Sequence, residues 1–141
     1  MTGRLQFQQS EDNRMTASNL PSILTLDATG EGIYRVNHPE NDPEGRNIVF
    51  GGQMMAQMIM AADAAVGGEK ETKSIHTIFS RAGTYDMPLD LEVDTMQAGR
   101  AFASHTITGI QNDKLMSRAM VLQTVGEPDL IRHAPSMPDV P

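Results

Sequence analysis

Ile48-Val49-Phe50-Gly51-Gly52-Gln53-Met54-Met55-Ala56-Gln57-Met58-Ile59-Met60-Ala61-Ala62-Asp63-Ala64-Ala65-Val66-Gly67-Gly68 is the stretch around which the rest of the chain must be arranged. From Met54 to Val66 only Gln57 and Asp63 are polar, and a helix apolar on nearly all sides belongs inside other structure. Gly67-Gly68 ends it, because glycine enters the left-handed cap at little steric cost. Gly51-Gly52 opens it with bare backbone. Unpaired N–H groups at the positive end of a helix dipole suit a carbonyl oxygen, a developing oxyanion or a phosphate; a tight opening turn is the plainer reading of the same glycines. Gln53 and Gln57 lie one turn apart on one face, so they line a polar strip or a cavity. Asp63 is about 120° round from Gln57 and is expected to be exposed or to face an interface near the helix end.

At 141 residues the chain has the length of one domain, and a net charge of −7 argues against nucleic acid as a partner. Cysteine is absent, so disulfides, thiol nucleophiles and thiolate metal sites are excluded. No secretory leader pattern and no apolar run of spanning length is visible, so no membrane insertion and a cytoplasmic location are expected. Eleven methionines against four Phe, two Tyr and no Trp give a soft core, suited to a flexible apolar ligand or simply filled by Met.

Residues 1–20 are polar and aperiodic and read as a flexible arm. Residues 21–126 form the folded domain. Within it, 21–26 begin an extended segment, 27–32 turn, and 33–36 return, making a hairpin; a loop rich in Asn, Pro and Gly then leads to the helix. Beyond Gly68, apolar periods of two and short apolar runs predict four strands over 73–79, 89–96, 101–110 and 115–125. The last two separators are short enough for antiparallel neighbours. Residues 127–141 hold Pro128, Pro135, Pro138 and Pro141 and are expected to be irregular. The order is α+β, a sheet wrapped round one long helix, with its other face exposed or paired with a second copy.

Val49-Phe50-Gly51-Gly52-Gln53 with Ala56-Gln57, Ile75-His76-Thr77-Ile78-Phe79-Ser80-Arg81-Ala82-Gly83, Pro88, Glu92-Val93, Gly99-Arg100-Ala101-Phe102 and Leu122-Gln123 together resemble the N-terminal half of the acyl-CoA thioesterase II family, over roughly residues 45–125. That family is built of two fused hotdog folds, each a curved antiparallel sheet around a long helix, and the resemblance implies thioester hydrolysis. With length for one unit, a homodimer or higher homo-oligomer is expected to rebuild the fused arrangement. The family's catalytic half carries an Asp before the His of the strand after the helix, a Thr or Ser on the next strand and a Gln on the last. The matching positions here are Ile75, Thr95 and Gln123, so the acid is missing.

Thioester hydrolysis needs an activated water and donors for the oxyanion. The backbone N–H groups of Gly52 and Gln53, beside Gly51, are candidates for the donors, and Gln123 and Thr95 for holding water. The resemblance sets Arg100 and Phe102 near a CoA opening, with Arg81 a second cation for a phosphate. His76 is a candidate substrate contact, or else a satisfied core or interface histidine; Gln123 reads equally as an amide paired across a dimer. Asp63, Asp86 and Asp94 are the other candidate bases, the last two expected to be solvated. His38, His105 and His133 are too scattered to suggest a metal, and no cofactor is implied. Gly-x-Ser-x-Gly, a phosphate-loop signature and Gly-x-Gly-x-x-Gly are absent, and His38-Pro39 with Asp42 is only a weak echo of a hydratase. The alternative to a hydrolase of acyl-CoA or acyl-carrier thioesters is a non-catalytic acyl-thioester-binding protein, or the partner of a separate catalytic hotdog chain.

Overall fold

The computed structural model describes residues 20–36, 38, 45–128, 130–131 and 133–139, so most of the expected arm and loop residues 37 and 39–44 lie outside it. The elements run α1 (Leu20–Ile23), β1 (Asp27–Gly30), β2 (Ile33–Val36), α2 (Gly51–Ala65), β3 (Glu71–Phe79), β4 (Leu89–Ala98), β5 (Phe102–Gln111) and β6 (Lys114–Thr124). One correction falls at the start. Residues 21–26 do not begin a strand: Leu20–Ile23 form a helical turn, and the strand is Asp27–Gly30, where a turn was expected. The turn is confined to Glu31 and Gly32. Gly32 sits at φ +66 and a Cβ there would come within 2.9 Å of the Val93 carbonyl, so glycine lets the hairpin lie against β4.

All pairings in the six-stranded sheet are antiparallel, in the order β1-β2-β4-β5-β6-β3. β5 and β6 are joined through Asn112 and Asp113, both left-handed at φ 50 and 56, the backbone that a tight hairpin with right-handed twist requires. Alternation then fixes the faces. Ala103, His105, Ile107, Gly109 and Gln111 of β5 are buried on one side, with Leu89 and Leu91 of β4 and Ser117, Ala119, Val121 and Gln123 of β6. Ile78, Met120 and Leu122 stand exposed on the other.

The inner face receives α2, whose Gln53, Met54, Gln57, Met58, Ala61 and Ala62 are buried. Met58 packs with Leu89, Leu91, Ile107 and Val121 in the core, each such side chain contributing roughly 1.5–3 kcal/mol of burial. A Cβ at Gly109 would lie 2.9 Å from Ser117 Oγ and 3.3 Å from Met58 Cε, so this glycine sets how closely helix and sheet approach. Gly67 and Gly68, at φ +72 and +74, end the helix as their sequence position predicts. Beyond Gly126 the described residues form no helix or strand.

Met58→Ala is expected to cost about 2–5 kcal/mol in denaturant unfolding. Met60→Ala, at a side chain 37% exposed, should stay within about 0.5 kcal/mol; equal losses at both positions would contradict this packing.

Candidate functional site

Two groups of residues stand out, at opposite ends of the inner face. The first is the start of α2. Phe50 is its N-cap, extended at φ −61 and ψ 130 and giving no side-chain cap. The Met54 N–H bonds back to the Phe50 carbonyl at 3.2 Å, which leaves the N–H groups of Gly51, Gly52 and Gln53 without an acceptor inside the helix. Beside them is an open recess of about 420 Å³ lined by Ile48, Gly51, Met54, Phe79 and Arg81 among others. Ile48 and Phe79 are exposed around it, and Phe50 is exposed with its ring against Gly52. Arg81 is exposed too, with Nη1 donating to the Leu115 carbonyl at 3.0 Å. An apolar rim, free N–H donors and a cation make a place for an apolar molecule with a polar, anionic end.

Both glutamines of the helix are buried, as their spacing predicts, and they line a polar strip. Gln53 Nε2 lies 3.4 Å from His38 Nδ1, and the Tyr85 hydroxyl donates to Gln53 Oε1 at 3.4 Å. His38 meets the Tyr85 ring edge to face, and burial holds its pKa below the usual histidine value. Gln57 Nε2 donates to the Ile23 carbonyl at 3.0 Å. The Gln53 side chain is thus engaged, which leaves its backbone N–H, without an acceptor inside the helix, as its open donor. The sequence reading missed His38 and Tyr85 as partners of Gln53, since nothing in their spacing ties the two loops to the helix start.

The second group crosses four strands at the other end. Thr95 Oγ1 lies 3.0 Å from His105 Nδ1, His105 Nε2 lies 3.1 Å from Gln123 Oε1, and Gln123 Nε2 donates to Thr72 Oγ1 at 3.4 Å. His105 and Gln123 are fully buried, whereas Thr95 is exposed. Thr95 and Gln123, chosen separately from the sequence, are therefore joined, and the joining residue was not foreseen. The signal was present: His105 falls in the apolar phase of β5 with Ala103 and Ile107, and a hairpin turning at Gly99-Arg100 puts it opposite Thr95. Burial lowers the His105 pKa, partly offset by its hydrogen bond to Gln123.

Six residues separate His105 from Gln111, whose side chain bonds Thr84 near the helix start, so the two groups are about 20 Å apart within one chain. Ile75 was expected beside Gly52. It stands instead four residues from Phe79, half-buried against the core, in the cross-strand row Ile75, Val121, His105, Thr95. His76 faces the opposite side and is exposed, as alternation predicts. Arg100 is exposed in the β4–β5 turn, and Phe102 edges a second recess of about 240 Å³ with Lys73, Ala101 and Thr124. Asp63 is half-buried near the helix end, and Asp86 and Asp94 are exposed. Among the described residues no group of His, Asp or Glu could hold a metal ion, and no helix is long and apolar enough to cross a membrane.

Residues 38–124 match the sequence profile of the family described as acyl-CoA thioesterase N-terminal domain. Acyl-coenzyme A thioesterase 8 of Mus musculus is 30% identical over 120 residues, 85% of this chain and 37% of that protein. Acyl-CoA thioesterase 2 of Haemophilus influenzae is 28% identical over 123 residues, 87% of this chain and 42% of that one. The chain thus spans well under half the length of these curated relatives. Among solved structures, the tesB protein of Mycobacterium avium subs paratuberculosis superposes with TM-score 0.75 at 28% identity, over 89% of this chain and 48% of that one. A Streptococcus mutans protein bound to acetyl CoA superposes with TM-score 0.63 at 11% identity, over 72% of this chain and 86% of that one, a likeness of fold alone. The α+β fold is the hotdog fold, one long helix packed on an antiparallel sheet.

Fully buried His105 and half-buried His38 set a pH dependence of stability. Their folded pKa values lie below the unfolded value of about 6.5, so the unfolded chain binds more protons as pH falls through that value. Stability should be full above pH of about 6.5 and decline below it, by at most about 1.4 kcal/mol per pH unit for each histidine, levelling below the folded pKa. Urea unfolding between about pH 8 and pH 5 checks this, and His105→Gln should flatten the slope. A stability that rises on acidification over that window would contradict the lowered pKa of both rings.

Proposed function

The chain belongs to the acyl-CoA thioesterase N-terminal domain family, and from that premise we propose that it hydrolyses acyl-CoA or related acyl-carrier thioesters as a homodimer whose sites are each shared by two copies. The observation that carries this reading is the separation of the two groups along β3. This strand is at the edge of the sheet, nine residues long with Ile75 at its middle. An edge strand offers a row of unpaired backbone groups to another strand. A second copy paired antiparallel about a two-fold axis near Ile75 brings the helix start of one copy beside Thr95 and Gln123 of the other.

In that arrangement the thioester carbonyl oxygen is held by the N–H groups of Gly52 and Gln53 at the helix start. They are fixed in place before the tetrahedral oxyanion forms, so stabilising it needs no reorganisation. Gly51 keeps the backbone open to the carbonyl: a Cβ there would lie 3.2 Å from Phe79 Cζ. Thr95 and Gln123 hold the attacking water. Arg81 and Arg100 meet the phosphates of the carrier, and Phe102 packs along it. His76 faces away from all of these and is left out of the substrate contacts. The folded domain of this reading is residues 21–126, with 127–141 a tail, and the work falls in cytoplasmic lipid metabolism.

A second reading is favoured by one residue. Ile75 stands where the resemblance has an acid, and loss of a base removes far more rate than binding. On that reading the chain binds acyl thioesters without turnover, or completes a separate catalytic hotdog unit.

Release of free CoA from a panel of acyl-CoAs separates the two. The hydrolase reading expects steady turnover, abolished in Gln123→Ala and weakened in Thr95→Ala; binding without hydrolysis at every chain length would establish the second reading instead. Ile75→Asp, placed in the same row as Thr95, is expected to stay folded and to raise the rate above that of the native chain. A folded variant with unchanged or lower rate would show that the working base lies elsewhere.

A further inference from the structure

We propose that His105 takes the proton of the attacking water, acting only through the Thr95 hydroxyl, so that it is a positioning residue for the reaction; the inference rests on the hydrolase reading above. The reaction needs a proton acceptor, and Ile75 cannot be one. His105 lies two strands from Ile75 in the same cross-strand row, next to Thr95.

The direction of the hydrogen bonds follows from the donors and acceptors available. Gln123 Nε2 donates to Thr72 Oγ1, so it is Gln123 Oε1 that meets His105 Nε2. An amide oxygen only accepts, so Nε2 carries the imidazole proton. The neutral ring then has a bare lone pair on Nδ1, and Thr95 Oγ1, 3.0 Å away, must donate to it. Burial favours this neutral form. The single proton of the Thr95 hydroxyl is thereby turned into the sheet, leaving its oxygen lone pairs for a donor outside. Thr95 is exposed, whereas His105 and Gln123 are fully buried, so a water reaches the chain of groups at the hydroxyl and not at the imidazole.

The step balances without a further reactant. The water oxygen bonds to the thioester carbonyl carbon as its proton passes to Thr95 Oγ1, and the hydroxyl proton passes to His105 Nδ1. The resulting imidazolium keeps its Nε2–H on Gln123 Oε1. When the carbon–sulfur bond breaks, the electron pair leaves with sulfur, and the proton returns through Thr95 to give the thiol. The products are a carboxylic acid and a free thiol, with His105 and Thr95 restored. A purely structural histidine in this place would serve equally well as a glutamine, which also offers a donor and an acceptor. That difference is the test.

Hydrolysis of acyl-CoA is measured for the wild type, His105→Gln, His105→Ala and Thr95→Val, each checked for native circular dichroism. His105→Gln is expected to lower kcat about 10²-fold or more while leaving KM unchanged, the range for loss of a general base. His105→Ala should be as slow and regain rate on addition of free imidazole, which can occupy the vacated space, whereas Thr95→Val in the same background should remove that rescue. If His105→Ala does not fold, the His105→Gln arm decides by itself. A folded His105→Gln with wild-type kcat overturns the proposal, as does a folded His105→Ala that keeps wild-type kcat. A wild type without hydrolysis overturns the hydrolase reading and this step with it. An active wild type beside an equally active His105→Gln removes this step alone and leaves Thr95 and Gln123 in place.

Discussion

A helix that is apolar on nearly every side has, among the described residues, one sheet to hide against. The inner face of β3–β6 covers Met54, Met58, Ala61 and Ala62 completely, yet Met55 and Ile59 remain half-buried and Met60 stands 37% exposed. Everything else in the fold follows from placing α2 across that face. Its first turn must emerge at the end where β3 finishes at Phe79, and its last turn at the end where β3 begins. The free N–H groups and the Thr95–His105–Gln123 chain are therefore held about 20 Å apart by the length of the strands. A single unit cannot bring them together, and β3 is an edge strand among the described residues, which is why the proposed site is divided between two copies.

The two ends are built differently. At the helix start the chemistry is backbone, exposed by Gly51 and Gly52 and framed by aromatic rings, while the polar side chains nearby are turned inward to His38 and Tyr85. At the far end the chemistry is side chain, and each polar group is tied to the next across a different strand. Buried polar groups linked in this way specify their geometry because each unmet partner is costly in a low-dielectric interior. The four strands must hold their register for Thr95, His105, Gln123 and Thr72 to meet, so the same hydrogen bonds that orient the candidate water site also lock the sheet.

Much of this was legible in the sequence, for physical reasons. The helix could be read because Met, Ala and Ile in unbroken succession between two glycine pairs have few other structures available. The four strands could be read because one face of the sheet is buried and side chains alternate, as in Phe102–Gln111. The segment 21–26 was misread because Ile23 and Leu24 suit a strand in composition, whereas a single helical turn lets Ile23 bury its side chain and offer its carbonyl to Gln57. Ile75 was placed on the correct face but too near the helix start, since it stands at the middle of β3. Alternation fixes which side a residue faces, whereas its position along the helix depends on where the helix starts relative to the strand. The role proposed for His105 needed the register, which sets it opposite Thr95, ten residues back, and diagonal to Gln123, eighteen residues on.

The division of the site between two copies is tested most directly by mixing two inactive variants. Gly52→Pro removes one helix-start donor, and Gln123→Ala removes the water-holding amide at the other end. If each site joins the helix start of one copy to the Gln123 of its partner, a mixed dimer contains one site with both defects and one with neither. Co-refolding equal amounts should then restore about a quarter of the wild-type rate, since half of the dimers are mixed and each has one intact site. Mixtures no more active than the separate variants would contradict the account, because sites built within single copies cannot complement one another.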